Sequence, residues 1–170
     1  SDGDRVTLRH PARDPITLDP VADAARLVDW LGPLWPGDQP RPTGVSECAT
    51  GFTDVPDPWV SINLDASHRA VEDALGRDLS IHRWRGNLWI EGGDIWQEFE
   101  WVGRRFRLGD VLFEGRQPIT RCKATMANPE TGKRDADTLE ALRGFGHQDF
   151  GIYAEVIEGG TIASGAELHL

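Results

Sequence analysis

Gln117-Pro118-Ile119-Thr120-Arg121-Cys122-Lys123-Ala124-Thr125-Met126-Ala127-Asn128-Pro129-Glu130-Thr131-Gly132-Lys133-Arg134-Asp135 is the stretch on which the reading of this 170-residue chain turns. A strand-like segment leads into it and a Pro/Gly turn leads out. One cysteine stands between two cations, Arg121 and Lys123, with hydroxyls close by at Thr120 and Thr125. The thiolate is the nucleophilic and metal-binding form of cysteine, and adjacent cations favour it. The pattern therefore points to a thiol meant to be ionised, beside something anionic. The competing reading is a buried structural cysteine flanked by surface cations, because free cysteine is among the most buried residue types.

On either side of this stretch the chain reads mostly as strands. Val111-Leu112-Phe113 has the pattern of a fully buried run that bends at Gly115 towards Cys122. Phe99 and Trp101 alternate with Glu98 and Glu100, and Phe106 and Leu108 with Arg105 and Arg107, which predicts a hairpin with one apolar face. Leu88-Trp89-Ile90 and residues 59–64 are further strands. Between them, Asp65 or Ser67 is expected to cap a helix with Ala66, Ala70, Val71 and Ala74 on one face. His68 reads as a surface residue of that helix. Downstream, Asp137-Thr138-Leu139-Glu140 is a capping box for a short helix stopping at Gly144, and residues 152–157 and 167–170 close the sheet. Near the start, residues 6–8 and 16–18 are strand-like. Asp19 with Pro20 opens a helix carrying Val21, Ala24, Ala25, Val28 and Leu31 on one face. Residues 32–58 form a long Pro/Gly-rich connection in which Cys48 is structural or incidental. The expectation is a mainly β fold with a few short helices (α+β), divided into an N-terminal portion 1–58 and a small β-barrel 59–170.

Composition bounds the function. Hydrophobic residues make up 39% and charged residues 27%, as in soluble globular proteins. A net charge of −10 argues against nucleic-acid binding, which runs on basic surface. No apolar run reaches the roughly 18 residues of a membrane span, and no signal-peptide core is visible, so no membrane partner is expected. Two cysteines suit a reducing compartment, hence a cytoplasmic expectation. Residues 83–134 hold ten Lys/Arg against seven Asp/Glu, a net +3, which leaves −13 for the remainder. A cationic segment inside an acidic protein suits a small anionic ligand. Solvated hairpin edges give the same pattern.

Thr120-Arg121-Cys122, Thr125 and Asn128-Pro129-Glu130-Thr131-Gly132 resemble the signature of the MOSC domain, the molybdenum cofactor sulfurase C-terminal domain. Asn128 stands where the family more often has Asp. Arg83-Trp84-Arg85-Gly86-Asn87-Leu88 is similar to a family segment in which Pro usually occupies the place of Gly86, and Phe150-Gly151-Ile152-Tyr153 with later glycines matches its closing pattern. The resemblance runs from about residue 61 to the C-terminus. It implies a β-barrel that binds molybdenum cofactor, a Mo-pyranopterin, with Cys122 as thiolate ligand to the metal. It implies Arg85 and Arg121 on the phosphate in forked, charge-assisted geometry, and Asn87 on the pterin ring edge. Ser67, Thr120, Thr125 and Asn128 are further candidate cofactor contacts, with plain capping the alternative for Ser67 and a structural cation on a strand edge the alternative for Arg85. For Trp84, Trp89, Trp96 and Trp101 core packing is expected.

The resemblance extends to bacterial relatives of the mitochondrial amidoxime-reducing component, which implies an oxidoreductase reducing N-hydroxylated small molecules. With only two cysteines there is no iron–sulfur motif, so electrons would come from a separate electron-transfer protein. The alternative is a non-catalytic module that carries sulfur, received from a separate donor, or cofactor on the Cys122 thiol. No pyridoxal phosphate is expected, because Lys123 and Lys133 sit in no Schiff-base pattern. A thiol redox sensor would need Cys48 as resolving partner. The family's additional β-rich N-terminal segment is expected to have its tail in residues 1–58, and the lack of an initiator methionine fits part of a longer polypeptide.

Overall fold

A computed structural model describes residues 5–48 and 55–170. The chain divides into two compact units, Ser1–Phe52 and Thr53–Leu170. In the first, β1 (Val6–His10) and β2 (Arg13–Leu18) form an antiparallel hairpin. The helix α1 (Ala24–Leu31) follows. Asp19 does cap a turn, accepting from Val21 N and Ala22 N at 2.9 Å each, but the helix proper starts only at Ala24. The hairpin holds the helix through its one large aromatic. Trp30 donates from its indole to Asp14 O at 2.9 Å, and Arg13 donates to Trp30 O at 2.7 Å.

The second unit is built on a six-stranded sheet in the order β4-β3-β7-β6-β5-β8, curled into a nearly closed barrel. Its strands are β3 (Val60–Leu64), β4 (Leu88–Ile90), β5 (Arg105–Leu108), β6 (Val111–Thr120), β7 (Asp149–Glu158) and β8 (Leu168–His169). Every pairing is antiparallel except β3 with β4. A parallel pair needs a crossover of a dozen or more residues, and α2 (Asp65–Leu75) supplies it. The helix α3 (Thr138–Gly144) packs beside α2, and Asp137 accepts from Glu140 N at 3.0 Å as its N-cap.

Two apolar cores result. One fills the barrel with Ile62, Leu64, Trp101, Phe106, Phe113 and Ile152 among its members. The other, Val71, Leu79, Trp84, Leu142 and Phe150, sits between the sheet and the two helices. A buried Phe side chain contributes roughly 1.5–3 kcal/mol, so the three fully buried phenylalanines anchor both cores. Strand alternation alone would put Phe150 and Ile152 on one face. They enter different cores because Gly151, at φ 71°, adds one residue to β7 against β6, where Pro118 faces Ile152 and Thr120 faces Asp149.

Several sequence expectations are corrected. Residues 97–101 form a 3-10 turn, not a strand, and β5 hairpins with β6. The run at Val111 alternates, with Leu112 half-exposed, and continues as one strand to Thr120. Leu64, not Asp65 or Ser67, occupies the cap of α2, with no side-chain cap bond. His68 is buried: its Nδ1 accepts from the Trp84 indole at 2.9 Å, which leaves Nε2 to donate to Leu79 O at 3.1 Å.

Candidate functional site

β6 ends at Thr120, whose hydroxyl donates to Asp149 Oδ1 at 2.6 Å. Pairing continues one residue further, with Arg121 N donating to Gln148 O at 2.9 Å and Gln148 Nε2 to Arg121 O at 2.7 Å. Cys122 comes next in extended backbone. Its thiol is exposed and in no disulfide. The chain then coils into a 3-10 turn, Lys123–Met126, closed by Thr125, whose N and hydroxyl both donate to Cys122 O. The same hydroxyl pairs with Thr138 at 2.7 Å, which ties the cysteine turn to the start of α3. Cys122 thus stands on the lip of a cavity of about 420 Å3, lined also by Arg83, Arg85, Thr120, Arg121 and Thr125.

The two arginines expected at a phosphate behave differently. Arg121 is 9% exposed and turned inward. Its Nε and Nη2 donate to Phe150 O at 2.9 and 2.6 Å, its Nη1 to Trp84 O at 2.9 Å, and Nη2 also to Asn63 Oδ1 at 3.2 Å. It clamps the Trp84–Phe150 stack, whose ring centroids are 3.8 Å apart, from beneath the cavity. Asn63 is held between two backbones with no room for side chains. A Cβ on Gly86 would lie 1.9 Å from its Nδ2, and one on Gly151 would lie 2.3 Å from its Oδ1. That close approach accounts for glycine at position 86.

Arg85 is exposed, in left-handed backbone at φ 52°, and its guanidinium has no hydrogen-bond or ion-pair partner among the described residues. Left-handed non-glycine residues are uncommon and cluster at functional sites. Asn87 does not line the cavity. Its Oδ1 accepts from Ser61 N and Ser61 Oγ at 2.9 Å each, which fastens the segment before β4 onto β3.

Arg83 is the residue that sequence reasoning passed over. It lines the cavity at 4% exposure, donating to Met126 O at 2.9 Å and to Asp135 Oδ1 at 2.5 Å, while its Nε has no partner. The signal was its place in Arg83-Trp84-Arg85, obscured because either arginine of that tripeptide fits a cationic role. Asp135 also accepts from Asn128 Nδ2 at 2.9 Å. The Asn128 bond and then Arg83 hold the Asp135 carboxyl below its ordinary range. Asn128 Oδ1 accepts from Glu130 N, so this residue shapes the turn rather than facing the cavity. An aspartate at 128 would set two carboxylates against each other, which is a physical reason for Asn here.

Ser67 is away from the cavity as well. Fully buried, its hydroxyl donates to Glu98 Oε2 at 2.8 Å and accepts from Trp96 N at 2.9 Å. Burial pushes the Glu98 carboxyl up to about 6, the Ser67 bond partly opposing it, and Glu98 Oε1 has no partner. Cys48 is exposed in the first unit. Among the described residues no three His, Cys, Asp or Glu side chains converge as a metal cage, and no helix is long and apolar enough to cross a membrane.

The model of the MOSC domain matches residues 52–169, well over half of the chain. The chain belongs to the MOSC domain family. Within that family it is similar to the molybdenum cofactor sulfurases of Drosophila mojavensis, at 32% identity over 90 residues, and Drosophila grimshawi, at 36% over 90 residues. Each of these matches covers 52% of this MOSC chain but only 11% of the sulfurase. Among solved structures it is similar to YiiM from Geobacillus stearothermophilus, with a TM-score of 0.51 and 20% identity, over 65% of this chain and 52% of that one. At that identity the likeness is one of fold, a MOSC-type barrel.

Proposed function

We propose that this MOSC domain binds molybdenum cofactor in the Cys122 cavity and serves as an oxidoreductase module for N-hydroxylated small molecules. One observation carries the reading: an exposed thiol and a guanidinium with no hydrogen-bond or ion-pair partner among the described residues share a cavity of about 420 Å3. Small-molecule sites run from roughly 300 to 1,000 Å3. The donor set suits the group. Cys122 Sγ is a soft ligand of the kind molybdenum takes, and Arg85 offers a fork for the phosphate.

The roles divide by what each side chain has left to give. Cys122 holds the metal and Arg85 the phosphate. Arg83 sets its charge behind them, its Nε the one guanidinium nitrogen with no partner among the described residues. Asn87 retains only its Nδ2 for a ring edge, since Oδ1 is engaged. Arg121, Thr125 and Asn128 position the cysteine turn, and Thr120 fixes its approach to β7. Ser67 serves Glu98. When bound, the molybdenum centre supplies the redox chemistry, and electrons come from a separate protein. The second reading, a carrier of cofactor or of sulfur on Cys122, is favoured by the similarity to sulfurases.

The test is metal content and visible absorbance of protein made in a cofactor-competent host, followed by turnover of an N-hydroxylated substrate with an artificial electron donor. Stoichiometric molybdenum with turnover supports the first reading. Molybdenum or persulfide without turnover moves the function to the carrier, and neither removes both.

A further inference from the structure

A cavity larger than the Cys122 one lies elsewhere. A cleft of about 860 Å3 opens between β4 and β8, lined by Leu88, Ile90, Leu108, Ile162 and Leu168 with Glu91 and Glu167 among its polar members. It shares no lining residue with the Cys122 cavity. β4 and β8 are the two ends of the six-stranded order, each paired with one strand only among the described residues, so two sheet edges face this cleft.

Three observations show that the gap is receptive. Edge strands are commonly blunted by shortness, charge, proline or a bulge; β4 is short, but it is Leu-Trp-Ile with a regular register to β3 and carries no charge, proline or bulge. The barrel core is incompletely covered here: Leu88, Ile90, Ile162, Ala166 and Leu168 pack against it yet stay only partly buried. The cleft also carries two exposed carboxylates, Glu91 and Glu167, the latter 3.9 Å from His169, in a chain of net charge −10.

We propose that the β4–β8 gap is a docking site for an extended segment of a partner protein, alternately apolar and basic, which adds a strand and completes the barrel. Inserted between two edges, such a strand forms ladders on both sides. Its apolar side chains cover the exposed flank of the core, and its cations, on the other face, meet Glu91 and Glu167.

The experiment uses a fluorescein-labelled, acetylated hexapeptide of alternating Val and Lys with the full chain. The expected result is saturable binding together with slowed amide exchange in residues 88–90 and 168–169. An analogue N-methylated at alternate residues should bind at least tenfold more weakly. The double variant Glu91→Lys with Glu167→Lys should lose at least tenfold in affinity at low salt, and Cys122→Ala should lose none. Equal binding of the N-methylated peptide overturns the proposal, because the contact is then charge alone. Protection of residues 88–90 in the free monomer, or only on self-association, also overturns it, because the gap is then filled by this chain or a second copy.

Discussion

The floor and the rim of the Cys122 cavity are made from neighbouring residues under opposite rules. On the floor, Arg121 donates to protein acceptors from Nε, Nη1 and Nη2, and Gly86 and Gly151 press on the Asn63 amide that receives one of them. On the rim, Cys122 is exposed, and Arg85 in left-handed backbone offers its guanidinium to solvent. Buried polar groups gain stability from satisfied bonds and lose it when a partner is removed, whereas exposed groups gain little. The floor is therefore where stability resides, and the rim is what is left for a ligand.

The largest expected effect breaks the floor. Arg121→Leu leaves two carbonyls and the Asn63 amide without their donor, at about 1–3 kcal/mol for each buried group; the urea midpoint should fall by an amount corresponding to at least about 3 kcal/mol. An unchanged midpoint would mean the clamp is ornamental. Gly86→Ala forces a Cβ into Asn63 Nδ2 and should cost roughly 1–3 kcal/mol, as overpacking does, read from the same titration.

Away from the cavity, the buried Glu98 supplies a pH signature. Its carboxyl ordinarily titrates near 4.5 and stands at about 6 in the fold, raised by burial. A raised folded value favours the protonated form in the native state. The stability it contributes is therefore complete below pH 4.5 and is lost as pH rises through 6, about 2 kcal/mol in all. Glu98→Gln should flatten that slope in thermal melts between pH 4 and 7; an unaltered slope would assign it to another group. The smallest effect belongs to the rim: Arg85→Ala should move the midpoint by less than about 0.5 kcal/mol, yet weaken cofactor binding about 30-fold, the equivalent of a charged contact of about 2 kcal/mol.

What could be read from the chain follows from the range of the interactions involved. The cap at Asp137, the strands at 60–64, 88–90 and 105–108 and the order of motifs along the barrel depend on residues close in sequence, and they were legible. The 3-10 turn at 97–101 was not, because Glu98-Phe99-Glu100-Trp101 imitates strand alternation, while Trp96 at φ 64° starts a coil that buries Glu98 and Trp101, three apart, together. Ser67 and His68 carry ordinary helix-start and surface preferences. Their fates are set by Glu98 and Trp84, 31 and 16 residues away. Arg85 and Arg121 are indistinguishable as residue types; a one-residue bulge at Gly151 re-aims Phe150 beneath the site, and its carbonyl takes two of the Arg121 bonds.

Molybdenum content of Cys122→Ala beside the natural sequence, both purified from a cofactor-competent host, tests the central assignment most directly. Cys122 has ordinary extended backbone and an exposed side chain, so the variant should fold with an unchanged melting midpoint. The account predicts that its molybdenum falls to background. Full retention of molybdenum by the folded variant would contradict it.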